Sequence, residues 1–182
     1  MRVTPGNLKN MKKNTTSANL RKVRKSERLV LASLSLGELR QIEEGEGGFL
    51  MKSVLSEAVL GAVTHKIACM QQAPKETHAW FTYWLISLQA GGPGIGVIGG
   101  KGLPDEEGLV EISYAVAKEC RGRGYAAEAL AEFLDWLYEW EFVSGAVAYI
   151  KEGNTASRRV AESCGFLHEG RYEGYLVYRY MF

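Results

Sequence analysis

A long amphipathic segment behind a glycine- and arginine-rich turn constrains this chain more than any other feature. Its apolar side chains recur at helical spacing and form one stripe: Leu130, Phe133, Leu134, Leu137 and Trp140. Its acidic side chains form the opposite stripe: Glu128, Glu132, Asp135 and Glu139. The pattern predicts a helix that begins just after residues 121–126 and buries one face in a core.

Strand-like segments before and after this helix predict a mixed fold. Three consecutive segments with short links predict an antiparallel meander: residues 79–89, 95–101 and 108–117. Other strands are expected at residues 28–36 and 143–150 and, as a pair, within 166–182. Other helices are expected at about residues 36–44, within 49–72, and from an Asn154 cap to Gly165. We predict one α/β (α+β) domain whose central mixed, mostly antiparallel sheet is flanked by helices.

Charge is distributed unevenly along the chain. Residues 1–28 hold nine Lys and Arg and one Glu, whereas the rest holds 13 basic and 20 acidic residues. We expect residues 1–25 to be a basic flexible N-terminal arm and residues 26–182 to be the folded domain. An organelle presequence and a ribosome-contacting tail are alternative interpretations of the arm.

Other totals exclude several classes of protein. No apolar run approaches the roughly 18 to 20 residues of a membrane-spanning helix. The three cysteines are widely separated and the three histidines show no ligand spacing, which fits neither a disulfide framework nor a metal site. We expect a cytoplasmic monomer or homodimer that holds no metal and has neither nucleic acid nor membrane as a partner.

Two glycine-rich stretches compete as candidate phosphate sites. Residues 94–99 match GxGxxG, but the residues that follow, 100–108, read as a turn between strands. A dinucleotide site needs a helix N-terminus at that point, so we interpret this stretch as a strand and its turns. The second stretch lies between a strand and the strongest helix, and consists of Arg121, Gly122, Arg123, Gly124, Tyr125 and Ala126. Unpaired helix amides and two arginines there favour a diphosphate cradle, although a plain corner with solvated arginines remains an alternative.

This strand, turn and helix resemble the acyl-CoA site of the GNAT superfamily of N-acetyltransferases. The chain resembles the branch typified by RimJ and RimL over about residues 26–182. That resemblance rests on an ordered series of motifs: Ser26 to Leu31, the aromatic stretch 80–84, Glu111 to Tyr114, residues 121–129, and Asn154 and Ser157 ahead of Gly165-Phe166.

The resemblance implies acetyl-CoA as co-substrate and a splayed strand that holds its pantetheine arm. The backbone contacts would lie near Tyr114, Ala115 and Val116, and the pyrophosphate would lie on residues 121–126. Asn154, which reads independently as a helix N-cap, would also approach the cofactor. The implied reaction is direct attack of a primary amine on the thioester, with a protein or peptide N-terminal α-amine or a small amine as acceptor.

Reference pKa values indicate how much help this reaction needs. An α-amine titrates at about 7.7 to 8.0, whereas a lysine-like amine at about 10.4 needs a base. Glu111 on the site strand is our candidate base, with a solvated strand face as its alternative interpretation; Glu173 is a weaker candidate. Many family members have a tyrosine that acts as general acid at the position where this chain has Ala161. Ser157 is the candidate replacement or a cofactor contact, and is equally typical of a helix first turn.

Two alternatives come from other classes of protein. A non-catalytic acyl-CoA-binding module would keep residues 114–126 without an effective base. A dinucleotide-binding domain is also compatible with Gly122-x-Gly124-x-x-Ala127 and with Glu152 after the next strand. We expect the acceptor groove within residues 42–84 and 168–182, and the acidic domain favours a cationic acceptor.

Overall fold

A computed structural model describes residues 21–182 as eight strands and five α-helices. The strands are β1 Val23–Lys25, β2 Leu29–Ser33, β3 Trp84–Leu88, β4 Gly96–Gly100, β5 Leu109–Val116, β6 Gly145–Lys151, β7 Leu167–Tyr172 and β8 Tyr175–Met181. The helices are α1 Leu36–Glu43, α2 Glu57–Gln72, α3 His78–Phe81, α4 Tyr125–Tyr138 and α5 Thr155–Ser163. Within this described part of the chain, no helix is long and apolar enough to cross a membrane.

The strands form one sheet in the order β1-β2-β3-β4-β5-β6-β8-β7. Every neighbouring pair is antiparallel except β5 and β6, which are parallel and are joined through α4. The predicted mixed, mostly antiparallel sheet is therefore confirmed, and β3, β4 and β5 form the predicted meander.

Helices cover both faces of the sheet. Neighbouring residues of a strand point to opposite faces, and Val97 packs with α1 and α2 whereas Ile98 packs with α4. The predicted apolar stripe of α4 is buried, and Trp136 joins it in an aromatic cluster with Trp80 and Trp84. The side chains of α4 thus fix the helix, and the turn before it, against the middle of the sheet.

Within the GxGxxG stretch, Gly96 and Gly99 belong to β4 and Gly94 lies just before it, as the interpretation of a strand and its turns predicted. A Cβ on Gly96 would lie 2.5 Å from the Ala115 carbonyl oxygen, and one on Gly99 would lie 2.5 Å from that of Thr82. Because real Cβ atoms do not approach backbone so closely, these positions require glycine for space. The glycine pattern reflects sheet packing in this strand.

Two elements begin well after their predicted starts. The strand expected at 79–89 begins only at Trp84, and the residues before it form the short helix α3. A short aromatic run does not distinguish strand from helix by composition, and here the Trp84 indole N–H donates to the Ala79 carbonyl across the turn. The helix expected within 49–72 begins at Glu57, where the Ser56 side chain accepts from the Val59 N–H.

The structure differs from the prediction at the C-terminal end of the expected N-terminal arm. Residues 23–25 are not an arm: they form β1, which pairs with β2. Arg24 reaches across to Glu132 and Glu139 on the acidic stripe of α4. Opposite charge therefore attaches this basic segment to the domain, while the remainder of the predicted arm, residues 1–20, lies outside the described residues.

Candidate active site

Strands β5 and β6 pair over only part of their length. Their register extends from Leu109, opposite Gly145, to Glu111, opposite Val147. Beyond that point β5 remains paired with β4 as far as Val116, while β6 remains paired with β8. The splay that the family resemblance implied is present, and it opens one edge of residues 112–116 to a gap.

The turn before α4 lies at the far end of this gap. Gly124 is the N-cap of α4 with φ +79°, and no side chain of the described residues caps the helix there. Gly122 has φ +73° and the Arg121 guanidinium donates to the Val116 carbonyl at 3.0 Å. Because the first helix amides lack intrahelical acceptors, the turn presents N–H donors and the positive end of the helix dipole.

Arg28 at the start of β2 holds this turn from the other side. Its guanidinium donates to the Arg123 carbonyl at 3.0 Å and to Glu128 at 2.7 Å, and lies 4.8 Å from the centre of the Tyr125 ring. Ser26 also donates to Glu128, at 2.7 Å. Burial alone would raise the pKa of Glu128, but these hydrogen bonds outweigh it and lower that pKa below its ordinary value.

Helix α5 supplies the opposite wall of the gap. Asn154 is its N-cap, as predicted, and its side-chain oxygen accepts from the Ser157 N–H at 3.1 Å. The Ser157 carbonyl accepts from the Tyr114 hydroxyl at 2.9 Å, which ties α5 to β5. Burial raises the pKa of the Tyr114 hydroxyl well above its usual range, so this phenol remains a hydrogen-bond donor.

A cavity of about 860 Å³ joins these parts. Its walls include Tyr114, Ala115 and Val116 of β5, both Asn154 and Ser157, and all but one of the predicted turn residues: Arg121, Gly122, Gly124, Tyr125 and Ala126. Arg123 is not among the lining residues, and its carbonyl is the acceptor that Arg28 uses. Arg159 of α5, which the sequence analysis did not single out, does line the cavity.

A second cavity of about 310 Å³ adjoins the first and shares Ala62, Lys101 and Ser113 with it. Lys66 of α2 lines it with 4 % of its surface exposed, and its ammonium donates to the Gly100 carbonyl at 2.6 Å. Burial lowers the pKa of Lys66 to about 7. Sequence patterning did not single out Lys66, because one lysine inside an amphipathic helix is ordinary.

The profile of the acetyltransferase (GNAT) domain matches residues 39–167, which is more than half of the chain. The chain belongs to the GNAT acetyltransferase family. The uncharacterized N-acetyltransferase YjdG of Bacillus subtilis (strain 168) is 33 % identical over 87 residues, which cover 48 % of this chain and 52 % of that protein. The chain thus matches about half the length of this curated relative.

Solved GNAT structures share the fold. An acetyltransferase from Agrobacterium tumefaciens superposes with a TM-score of 0.62 at 23 % identity, covering 93 % of this chain and 99 % of that one. RimL, a ribosomal L7/L12 α-N-protein acetyltransferase in complex with coenzyme A, superposes with a TM-score of 0.63 at 17 % identity, covering 88 % and 98 %. At these identities the likeness establishes the fold alone, and a RimJ/RimL-like branch is consistent with it.

GNAT acetyltransferases use acetyl-CoA, and the residues present fit it. The open edge of β5 suits an extended arm with amide groups, and the uncapped N-terminus of α4 suits a diphosphate. Both border the same cavity, which is large enough for a cofactor of this size. The co-substrate predicted from the resemblance is therefore confirmed.

The predicted base on β5, Glu111, is paired with Lys101 and does not line either GNAT-site cavity, whereas Lys101 lines both. Ser113 and Ala115 lie two and four residues after Glu111 in β5, and both line the larger cavity. Because every second side chain of a strand points to the same face, the Glu111 side chain belongs to the face that borders this cavity. Glu173 lies in the tight turn between β7 and β8 with φ 48° and is absent from both cavity walls. The weaker candidate base therefore lies apart from the site.

Ala161 and the expected acceptor groove are the remaining features of this GNAT site. Ala161 is fully buried, and its methyl side chain offers no hydroxyl in place of the missing tyrosine. The expected acceptor groove is only half present: residues within 56–83 line the cavities, but none of 168–182 does. The C-terminal strands instead complete the sheet beside β6.

Proposed function

We propose that the protein transfers the acetyl group of acetyl-CoA to a primary amine by direct attack of that amine on the thioester. The observation that carries the proposal is the open edge of β5 facing the uncapped turn before α4 across one cavity. An activated acyl group held along that edge would point toward the second cavity, where an acceptor has room. No covalent enzyme intermediate is needed, since both reactants can occupy adjoining spaces.

The turn binds the charged part of the co-substrate in this proposal. Backbone N–H groups at the start of α4 and the guanidinium groups of Arg121 and Arg159 would meet the phosphates. The backbone of Tyr114, Ala115 and Val116 would hold the pantetheine arm in place of a neighbouring strand. Asn154 is a further proposed contact, because its amide nitrogen remains available after its oxygen caps α5.

Glu111 is the proposed base, acting directly or through a water molecule. Its carboxylate is paired with Lys101, a residue that lines both cavities. An α-amine needs little help near neutral pH, whereas a lysine-like amine must lose a proton at a cost of roughly 4 kcal/mol. The base therefore matters most for strongly basic acceptors.

Ser157 is the proposed proton donor to the departing thiolate or a contact for its arm. It lies in the cavity wall beside Tyr114, which is held by the Ser157 carbonyl. With the cysteine value of about 8.5 as a guide, protonating this thiolate near neutral pH contributes only about 2 kcal/mol. A weak donor is sufficient, which is compatible with Ala161 in place of a tyrosine.

The acceptor is proposed to be the α-amine of a peptide or protein N-terminus, or a small amine. Support comes from the RimL neighbour, whose name states that it acetylates a ribosomal protein at its α-amine. Thiol release from acetyl-CoA across a panel of amines and N-terminal peptides tests this directly. Turnover with at least one α-amine is the expected result, and binding of acetyl-CoA without turnover of any amine would instead support a non-catalytic acyl-CoA-binding module.

The dinucleotide-binding alternative has little support. Glu152, the acid that would hold a ribose, is exposed, is paired with Arg171 and lines neither cavity. Only one parallel pair, β5 with β6, exists in the described sheet, and a dinucleotide fold needs several. Calorimetry with acetyl-CoA and NAD in parallel is expected to detect acetyl-CoA alone; binding of NAD alone would overturn the proposed function.

A further inference from the structure

The two cavities are lined by basic residues and by no carboxylate of the described residues. The larger cavity has Lys101, Arg121 and Arg159 in its walls, and the smaller has His65 and Lys66 together with Lys101. Arginines near the turn are explained by the phosphates of acetyl-CoA. The smaller cavity, which His65, Lys66 and Lys101 line, includes none of the turn residues in its walls, so we assign it to the acceptor.

Much of the acidity of the domain lies away from this groove. Glu128, Glu132 and Glu139, which make up much of the excess, are on the outer stripe of α4 and are already paired with Arg24 and Arg28. A cationic acceptor, which the net charge favoured, would therefore find no carboxylate lining its cavity. The local charge predicts the opposite preference.

Lys66 is the most informative of these residues because it is buried without an acidic partner of its own. Its ammonium donates to the Gly100 carbonyl and lies 4.5 Å from the centre of the Tyr83 ring. The nearby carboxylate, Glu111, is already paired with Lys101. An ammonium has three N–H donors, so donors remain for a ligand after one of them meets the Gly100 carbonyl. Since a buried ammonium is costly to leave without partners, a ligand in the cavity that Lys66 lines would be favoured.

We propose that Lys66 is a specificity-determining residue that binds a carboxylate carried by the acceptor close to its reactive amine. The inference rests on the proposed function and names its acceptor class: a free amino acid, or a peptide whose first residue has an acidic side chain. An amine beside a carboxylate would place its nitrogen toward the shared wall at Ala62, Lys101 and Ser113, with the anion in the smaller cavity on Lys66. A neutral acceptor would leave the ammonium without a counter-ion.

Matched acceptor pairs test this proposal. Peptides that begin with Asp and with Asn, and an amino acid and its amide, are compared by kcat/KM for thiol release with the native chain, Lys66→Met and the exposed control Lys75→Met. We expect Lys66→Met to reduce kcat/KM for the acidic member of a pair about tenfold more than for the neutral member. Dividing kcat/KM of the variant by kcat/KM of the native chain for each acceptor cancels the effect of the basicity of the acceptor amine.

The two pairs distinguish the source of the carboxylate. An effect confined to the amino acid and its amide identifies a small-molecule acceptor, and an effect confined to the peptides identifies an acidic N-terminal residue. Equal losses for both members of both pairs, or no acidic preference in the native chain, would overturn the proposal. Loss of acetyl-CoA binding in calorimetry would identify a failure of the whole site rather than of Lys66, and Lys66→Arg, which keeps the charge, should retain part of the preference.

The pH dependence gives a readout that a structural role would not produce. Several titratable groups from different elements surround Lys66: His65 and Cys69 of α2, Tyr83 before β3, Lys101 after β4, and Glu111 of β5. Only the protonated amine binds a carboxylate, so the acidic preference should be present near about pH 6 and decline by about pH 9. A preference that is the same at both pH values would contradict the proposed role.

Discussion

Gly122 shapes the turn before α4 through its backbone and not through the space that it leaves. It has φ +73°, and a Cβ added there would meet nothing within 4 Å. Gly91, in the exposed link between β3 and β4, has φ +90° and equally open surroundings. The two residues therefore have the same conformational requirement, but only Gly122 borders the larger cavity.

The variants Gly122→Ala and Gly91→Ala separate strain from binding. Each substitution is expected to cost about 1 to 2 kcal/mol of stability, since an L side chain disfavours a left-handed backbone. Only Gly122→Ala should also weaken acetyl-CoA binding, because its methyl group enters the space proposed for the phosphates. Isothermal calorimetry and thermal unfolding measure the two effects, and equal affinities for the two variants would argue against the cradle.

Glu111→Gln tests the proposed base by acceptor type. The variant is expected to reduce kcat for a lysine-like amine by about 100-fold and to affect an α-amine less, because only the former depends strongly on a base. Glu107→Gln is the control, since it removes another carboxylate of an ion pair, with Arg179, outside both cavities. Unchanged kcat for both amines would eliminate Glu111 as the base.

At the scale of elements, two arginines join the N-terminal strands to helix α4: Arg24 in β1 and Arg28 just before β2. Arg24 pairs with Glu132 and Glu139 along the body of α4, whereas Arg28 pairs with Glu128 in its first turn and also contacts the Arg123 carbonyl. Both attach the N-terminal strands to the same helix. Only Arg28 touches the turn that is proposed to bind phosphate.

The variants Arg28→Ala and Arg24→Ala should therefore separate two roles. Both are expected to lower the unfolding midpoint by a few degrees, as loss of charge-assisted hydrogen bonds predicts for a chain of this size. Arg28→Ala should in addition raise the dissociation constant of acetyl-CoA about fivefold to tenfold, because the turn loses its outer support. If Arg24→Ala weakens acetyl-CoA binding as much as Arg28→Ala, the specific support by Arg28 is contradicted.

At the scale of the whole molecule, the folded domain includes more of the N-terminal region than its composition indicates. Residues 21–26 provide β1, the ion pair of Arg21 with Glu38, both pairs of Arg24, and the Ser26 hydrogen bond to Glu128. These contacts extend the sheet by one edge strand and cover the acidic stripe of α4. Because β1 precedes residue 26, we propose a domain boundary before Val23.

Two truncated chains check this boundary. A chain that begins at residue 27 should unfold about 5 to 10 °C below one that begins at residue 21, because it lacks a paired strand and several charged hydrogen bonds. Both retain Arg28, so acetyl-CoA binding should differ much less than stability. Equal unfolding midpoints would indicate that residues 21–26 add nothing to the fold.

Local patterns in the sequence were sufficient to predict α4, the meander and the Asn154 cap. Each of these depends on neighbouring residues: a period of apolar side chains, a turn composition, or a cap residue ahead of a helix. The turn before α4 followed from the same reasoning, because a helix N-terminus has unpaired amides wherever it occurs. The order of these elements was sufficient to identify the resemblance to the GNAT superfamily, and that resemblance predicted acetyl-CoA as co-substrate.

Tertiary structure alone decided which charges meet. The sequence revealed a basic beginning and an acidic remainder, but only the packing of β1 and β2 against α4 pairs Arg24 and Arg28 with the acidic stripe. Likewise, only the fold buries Lys66 in the same cavity wall as Lys101 and leaves Glu173 in a turn that lines neither cavity. Net charge and chain position carry no information about distance in space, because residues about 100 positions apart become neighbours only when the sheet and helices pack.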